Sequence, residues 1–181
     1  MHLADLLTLL RLVLVPIFLW RFLVGDYHTS FILFIIAGGT DLIDGTVARL
    51  LKTQTRFGAL LDPIADKALM VTTLACLLYL QIIPWWFFVL LAGRDIAILS
   101  GLAYIQRQKM NVELKPLISS KIATLTNILL VIFGFLKFFD PTSIFVERSF
   151  GGILILATLL VLLSAIQYAW IGVGILRRSR D

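Results

Sequence analysis

The sequence predicts an all-α integral membrane protein of six transmembrane helices with both termini in the cytoplasm. Three observations carry this expectation. Hydrophobic residues make up 60% of the 181-residue chain and charged residues only 15%, with a mean hydropathy of +0.98. A soluble domain so composed lacks the polar surface to cover itself. The apolar residues gather into six stretches, each near the roughly 20 residues that cross a bilayer as a helix. The basic residues beside those stretches collect on one side.

Taken in order, the first stretch, 5–24, is long and has no small-residue cleavage site, so it reads as a retained span and not a signal peptide. "GDYHT" at 25–29 turns the chain into the second span, 30–50. "KTQTRF" at 52–57 separates that span from the third, 58–80, and "QIIP" at 81–84 leads into the fourth, 85–106. Trp85 and Trp86 open the fourth span and suit the outer interface belt. "QRQKMNVELKP" at 106–116 precedes the fifth span, 117–138, and "FDPTSIFVERS" at 139–149 precedes the sixth, 150–176. Six spans place both termini on the side that holds Arg49, Lys52, Arg56, Arg107, Lys109, Lys115, Arg177, Arg178 and Arg180. The opposite loops hold little beyond Lys137 and Arg148. The excess of Lys and Arg makes the first side cytoplasmic.

No internal repeat or linker divides the chain, so one membrane domain over 1–181 is expected. Net charge is +5. Because the basic residues flank apolar spans, topology and anionic lipid account for them and nucleic acid does not. Cys76 is a lone cysteine in an apolar run and reads as a small core residue. His2 and His28 fall at a terminus and in an outer loop, away from the acids that dominate the middle of the chain.

Those acids are Asp41, Asp44, Asp62 and Asp66, set where the flanking composition predicts lipid. Asp41 and Asp44 are three apart, and Asp62 and Asp66 four apart, so each pair shares a helix face. Both pairs lie toward the cytoplasmic ends of their spans. A buried aspartate costs ~2.5–3.5 kcal/mol at mid-span, and crowded carboxylates repel. A divalent cation answers both costs. All-oxygen ligands suit Mg2+ or Mn2+, and no soft zinc set is present. Gly45, Ala48 and Gly58 clear space between the acids for a bulky ligand, and Arg49 supplies a cation for phosphate. The competing structural reading pairs the acids with Arg49, Lys67 or Arg94 and uses the small residues for helix packing. It explains single residues, but a packing device does not need four acids.

The stretch reads D-x2-D-G-x2-A-R-x8-G-x3-D-x3-D, matched without a gap by Asp41, Asp44, Gly45, Ala48, Arg49, Gly58, Asp62 and Asp66. This resembles the signature of the CDP-alcohol phosphatidyltransferases. "LLTLLR" at 6–11, "TRFGALLDPIADK" at 55–67, "GRD" at 93–95 and "KPLISSKIAT" at 115–124 extend the resemblance over most of the chain. It implies transfer of a phosphatidyl group from CDP-diacylglycerol to an alcohol with release of CMP. By similarity, Asp41, Asp44 and Asp62 hold a pair of metal ions against the CDP diphosphate, with Asp66 also near the metals. Asp66 takes the proton of the acceptor hydroxyl. Gly45, Ala48 and Gly58 line the nucleotide site and Arg49 contacts its phosphates. The resemblance further implies a homodimer, a cytoplasm-facing site and, as location, the bacterial cell membrane.

"LLTLLR" and "TRFGALLDPIADK" look most like the glycerol-type branch, which makes phosphatidylglycerol-phosphate or cardiolipin. The expected acceptor is therefore glycerol-3-phosphate, with phosphatidylglycerol as the alternative. In span five, "SKIAT" keeps Lys121 of the G-K-x-K-T motif but has Ala123 at the second lysine, while "LKPLIS" with "SK" leans toward the cardiolipin-forming type. Asp5 stands where family members often carry Asn. Lys121, Arg94 and Lys115 are the acceptor-phosphate candidates. Against this, Arg94 has Asp95 beside it as an ion-pair partner, and Lys115 is placed to snorkel. A small cation transporter is the rival of another class, since membrane carboxylates also mark ion paths. It accounts for the acids but not for Arg49, Gly45 and Gly58 at fixed offsets.

Overall fold

The computed structural model describes the backbone of residues 3–51, 56–107 and 118–178, and the side chains of 10–39, 67–98, 100–101 and 122–170. Over these residues the chain is all-helical. The elements are α1 (Leu3–Leu23), α2 (Tyr27–Leu51), α3 (Arg56–Tyr79), α4 (Trp85–Arg107), α5 (Ile118–Phe139) and α6 (Ile144–Arg178). Five of the six begin and end within three residues of the expected spans. By contact the chain divides into two compact units, Met1–Leu80 and Gln81–Asp181.

In the first unit, α1 packs against both α2 and α3. The turn from α1 to α2 takes only three residues because each does a separate job. Gly25 adopts φ +85°, a conformation that costs glycine nothing. Its N–H donates to Phe22 O at 3.0 Å and the N–H of Asp26 donates to Arg21 O at 3.0 Å, which satisfies carbonyls that the helix end leaves open. Asp26 then caps α2, its Oδ1 accepting from Thr29 N–H at 3.2 Å. Hydrogen bonds from Thr29, through side chain and backbone, hold the Asp26 carboxyl below its ordinary value, with Arg21 and His28 adding to the effect and burial opposing it. A lowered folded-state value means that this cap stabilises above the ordinary pKa of 3.8 and is lost as pH falls below it.

The core of this unit is a set of helical stripes. Phe18 and Phe22 on α1, Ser30, Phe34 and Ala37 on α2, and Leu69, Thr73, Leu74 and Leu77 on α3 are buried. Thr73 satisfies its hydroxyl within its own helix, donating to Leu69 O at 2.8 Å.

In the second unit, α5 and α6 form a hairpin and α4 packs on α6. Ala123, Thr126, Asn127, Leu130, Val131 and Phe135 line the buried face of α5; Phe150, Ala157, Val161 and Ser164 line that of α6. The sequence reading places the start of the sixth span at 150, whereas α6 begins at Ile144. Ser143 accounts for the extra turn: its Oγ accepts from Val146 N–H at 3.4 Å, and Glu147 places a carboxylate in the first turn, where the helix dipole favours it. Polar residues that read as loop are therefore the helix's own cap and first turn. Outward, α6 presents Ile155, Leu159, Leu162, Ile166 and Trp170. Among the described residues, two segments are long and apolar enough to cross a membrane, Ile122–Phe139 and Ile144–Trp170.

Candidate active site

Asp41 and Asp44 lie in α2, and Asp62 and Asp66 in α3; their side chains, with those of Gly45, Ala48, Arg49 and Gly58, lie outside the described residues. Their places along the helices are fixed all the same. Asp44 and Asp41 precede Leu51, the end of α2, by seven and ten residues, or about 10 and 15 Å at 1.5 Å per residue. Asp62 and Asp66 follow Arg56, the start of α3, by six and ten residues, or about 9 and 15 Å. All four thus fall in one band, measured from the helix ends that residues 52–55 join. The donor set is four carboxylates, and it fits a hard divalent cation. Among the described residues no three His, Cys, Asp or Glu gather into a metal-binding group.

Of the acceptor candidates, Lys115 lies outside the described residues. Lys121 is in α5, with its side chain likewise outside them. Arg94 is fully described. Its Nη1 donates to Asp95 Oδ1 at 2.7 Å, its Nε donates to Ser164 Oγ at 3.1 Å, and its guanidinium lies 6.0 Å from the centre of the Tyr168 ring. The pairing with Asp95 is the one that competes with acceptor binding in the sequence. The bond to Ser164 adds what the sequence does not show, a polar tie from α4 to α6.

Two buried polar side chains received no role from the sequence. Asn127, on α5, is 5% exposed, and its Oδ1 has no hydrogen-bond partner among the described residues. Arg11, on α1, is 1% exposed. A signal for Arg11 was present: it is a permanent cation inside the first apolar span, within "LLTLLR".

The CDP-alcohol phosphatidyltransferase family matches residues 1–174. The chain belongs to that family. Among its relatives, a protein of Aquifex aeolicus named CDP-diacylglycerol–glycerol-3-phosphate 3-phosphatidyltransferase is 33% identical over 173 residues, 93% of this chain and 94% of that one. A probable phosphatidylglycerophosphate synthase of Mycobacterium tuberculosis is 42% identical over 113 residues, 59% of this chain. There the match spans only about half of the relative, 54%. A probable CMP-forming cardiolipin synthase of Drosophila melanogaster is 31% identical over 140 residues, 68% of this chain and 44% of that protein. The matched span contains Asp41, Asp44, Asp62 and Asp66.

Proposed function

We propose that this phosphatidyltransferase transfers the phosphatidyl group of CDP-diacylglycerol to a hydroxyl of glycerol-3-phosphate, forming phosphatidylglycerol-phosphate and CMP. The observation that carries the acceptor is the end-to-end match to the Aquifex 3-phosphatidyltransferase, together with "TRFGALLDPIADK". Phosphatidylglycerol is the second reading, favoured by "LKPLIS" before "SK" and by the Drosophila relative's name.

Asp41, Asp44 and Asp62, with Asp66 beside them, would hold two Mg2+ or Mn2+ ions. Such ions, when bound, offset the charge of the diphosphate and of the departing CMP. Gly45, Ala48 and Gly58 leave room for the nucleotide, and Arg49 holds its phosphates. Asp66 accepts the proton of the acceptor hydroxyl. The freed oxygen bonds to the phosphatidyl phosphorus while the bond from that phosphorus to the bridging oxygen breaks. CMP leaves with the electron pair. Lys121 and Lys115 anchor the acceptor's phosphate, and Arg94 joins them with a guanidinium already oriented by Asp95 and Ser164.

The reading places all six helices in the membrane as one domain, both termini cytoplasmic, in the cell membrane of a bacterium, and paired as a homodimer by family likeness. Outward apolar side chains such as Ile155, Leu159 and Ile166 support it, since soluble monomers rarely expose a large contiguous apolar surface. Cysteines placed at 54 and 110 are expected to react with a membrane-impermeant reagent from the cytoplasmic side, and those at 27 and 143 only from outside. Cytoplasmic labelling at 27 overturns the topology.

The activity is tested with purified protein, CDP-diacylglycerol and Mg2+ or Mn2+ against a panel of alcohols. CMP release that depends on glycerol-3-phosphate is expected. Release that depends on phosphatidylglycerol selects the second reading. No metal-dependent CMP release with any alcohol overturns the proposed reaction.

A further inference from the structure

Among the described residues, Arg11 alone is a charged side chain with almost no exposure, 1%. Arginine does not shed its proton in a protein, so the charge stays. A buried charge persists in a fold where opposite charge or hydrogen-bond acceptors meet it, opposite charge offsetting it most strongly, and Arg11 does make an interaction in the fold. The acids of the first unit are Asp5, Asp26, Asp41, Asp44, Asp62 and Asp66. Asp5 is six residues away on the same helix, a spacing that puts it on another face. Asp26 is at the opposite end of α1, capping α2 and 3.5 Å from Arg21. The aspartate band remains.

Aromatic contacts set the register. Arg11, Phe18 and Phe22 are spaced by seven and four residues, so they share one stripe of α1. At the top of that stripe the Phe22 ring meets Tyr27 of α2 at 5.1 Å and Tyr79 of α3 at 6.3 Å, edge-on in both cases. The stripe therefore faces both acid-bearing helices. Arg11 lies eleven residues below Phe22, about 16 Å along the axis. Eleven residues along α2 from Tyr27 is Gly38, and eleven back along α3 from Tyr79 is Ala68. Asp41 and Asp66 are three and two residues further in the same direction, within one turn. Long helical side chains lean toward their helix's N-terminus, which on α1 is that direction too. The guanidinium is thus delivered to the level of Asp41 and Asp66.

We propose that Arg11 is the fixed counter-charge of the aspartate set, a positioning residue that holds the deeper pair, Asp41 and Asp66, when no metal is bound. The inference rests on the reading of these aspartates as metal ligands and base.

It is tested by thermal unfolding of the full chain in detergent, in chelator and in saturating Mn2+. Arg11→Met is expected to lower Tm in chelator by roughly 6–20 °C, as for a broken buried ion pair in a chain of this size. Mn2+ is expected to recover most of that loss, because the metal supplies the missing positive charge. Arg11→Lys, which keeps the charge, is expected to stay near wild type in both conditions. An equal loss for Arg11→Met with and without Mn2+ makes Arg11 a packing residue and overturns the proposal. If the wild type itself gains no stability from Mn2+ or Mg2+, the metal reading fails, and the proposal with it. Should Arg11→Met not accumulate, the double variants with Asp41→Asn and Asp66→Asn are measured in chelator. Recovery of folded protein in either supports the pairing, and failure of both overturns it.

Discussion

Asp66→Asn is expected to lower kcat by about 10^2- to 10^4-fold, the usual contribution of a positioned general base, while CDP-diacylglycerol still binds. The amide keeps the shape of the carboxylate but cannot take a proton. Asp44→Asn is expected to behave differently, losing donor binding along with turnover, because it removes a ligand from the set that meets the diphosphate. Donor binding measured directly, beside turnover, separates the two. Equal loss of donor binding in both variants reassigns Asp66 as chiefly a metal ligand.

Lys121→Ala is expected to lower the acceptor kcat/KM by roughly 10- to 150-fold and to leave the donor KM little changed. A charge-assisted contact to phosphate contributes ~1.5–3 kcal/mol, and each ~1.4 kcal/mol is one decade of rate. Arg49→Ala is expected to show the converse, damaging use of the donor. If Lys121→Ala weakens both substrates alike, the lysine is a structural counter-ion and not an acceptor anchor.

Helix number and limits are legible because apolar length and turn chemistry are local properties. "GDYHT" predicts a reversal at 25–29, and Gly25 and Asp26 carry it out. The six-residue error at α6 has a local cause as well: Ser143, Glu147 and Arg148 read as polar loop, yet a capping serine followed by a first-turn glutamate is a helix start. Partner choice is another matter. Helices that are apolar all round carry no stripe that names a neighbour, so nothing in the residue pattern says that α1 meets both α2 and α3. That fact had to come from Phe22, Tyr27 and Tyr79 in space. The same gap hid Arg11, whose importance lies in what the stripe faces. The acids were legible for the opposite reason. Four carboxylates in an apolar context are costly wherever they point, and the cost is visible in one dimension. The acceptor was less so, because the Lys121 neighbourhood keeps one lysine and has Ala123 at the other.

Helix α6 spans 35 residues, about 52 Å at 1.5 Å per residue, and its apolar segment alone has 27, about 40 Å. The hydrocarbon layer is about 30 Å thick. Seated there, α6 has to lean over or stand proud of one surface, and the balance between the two follows the thickness of the bilayer. Helices α5 and α4 both rest on α6, and Arg94 is bonded to it through Ser164, so its inclination is passed to the helices that carry Lys121 and Arg94. On the membrane placement proposed above, a change in the depth of the bilayer would therefore reach Lys121 and Arg94 through α6.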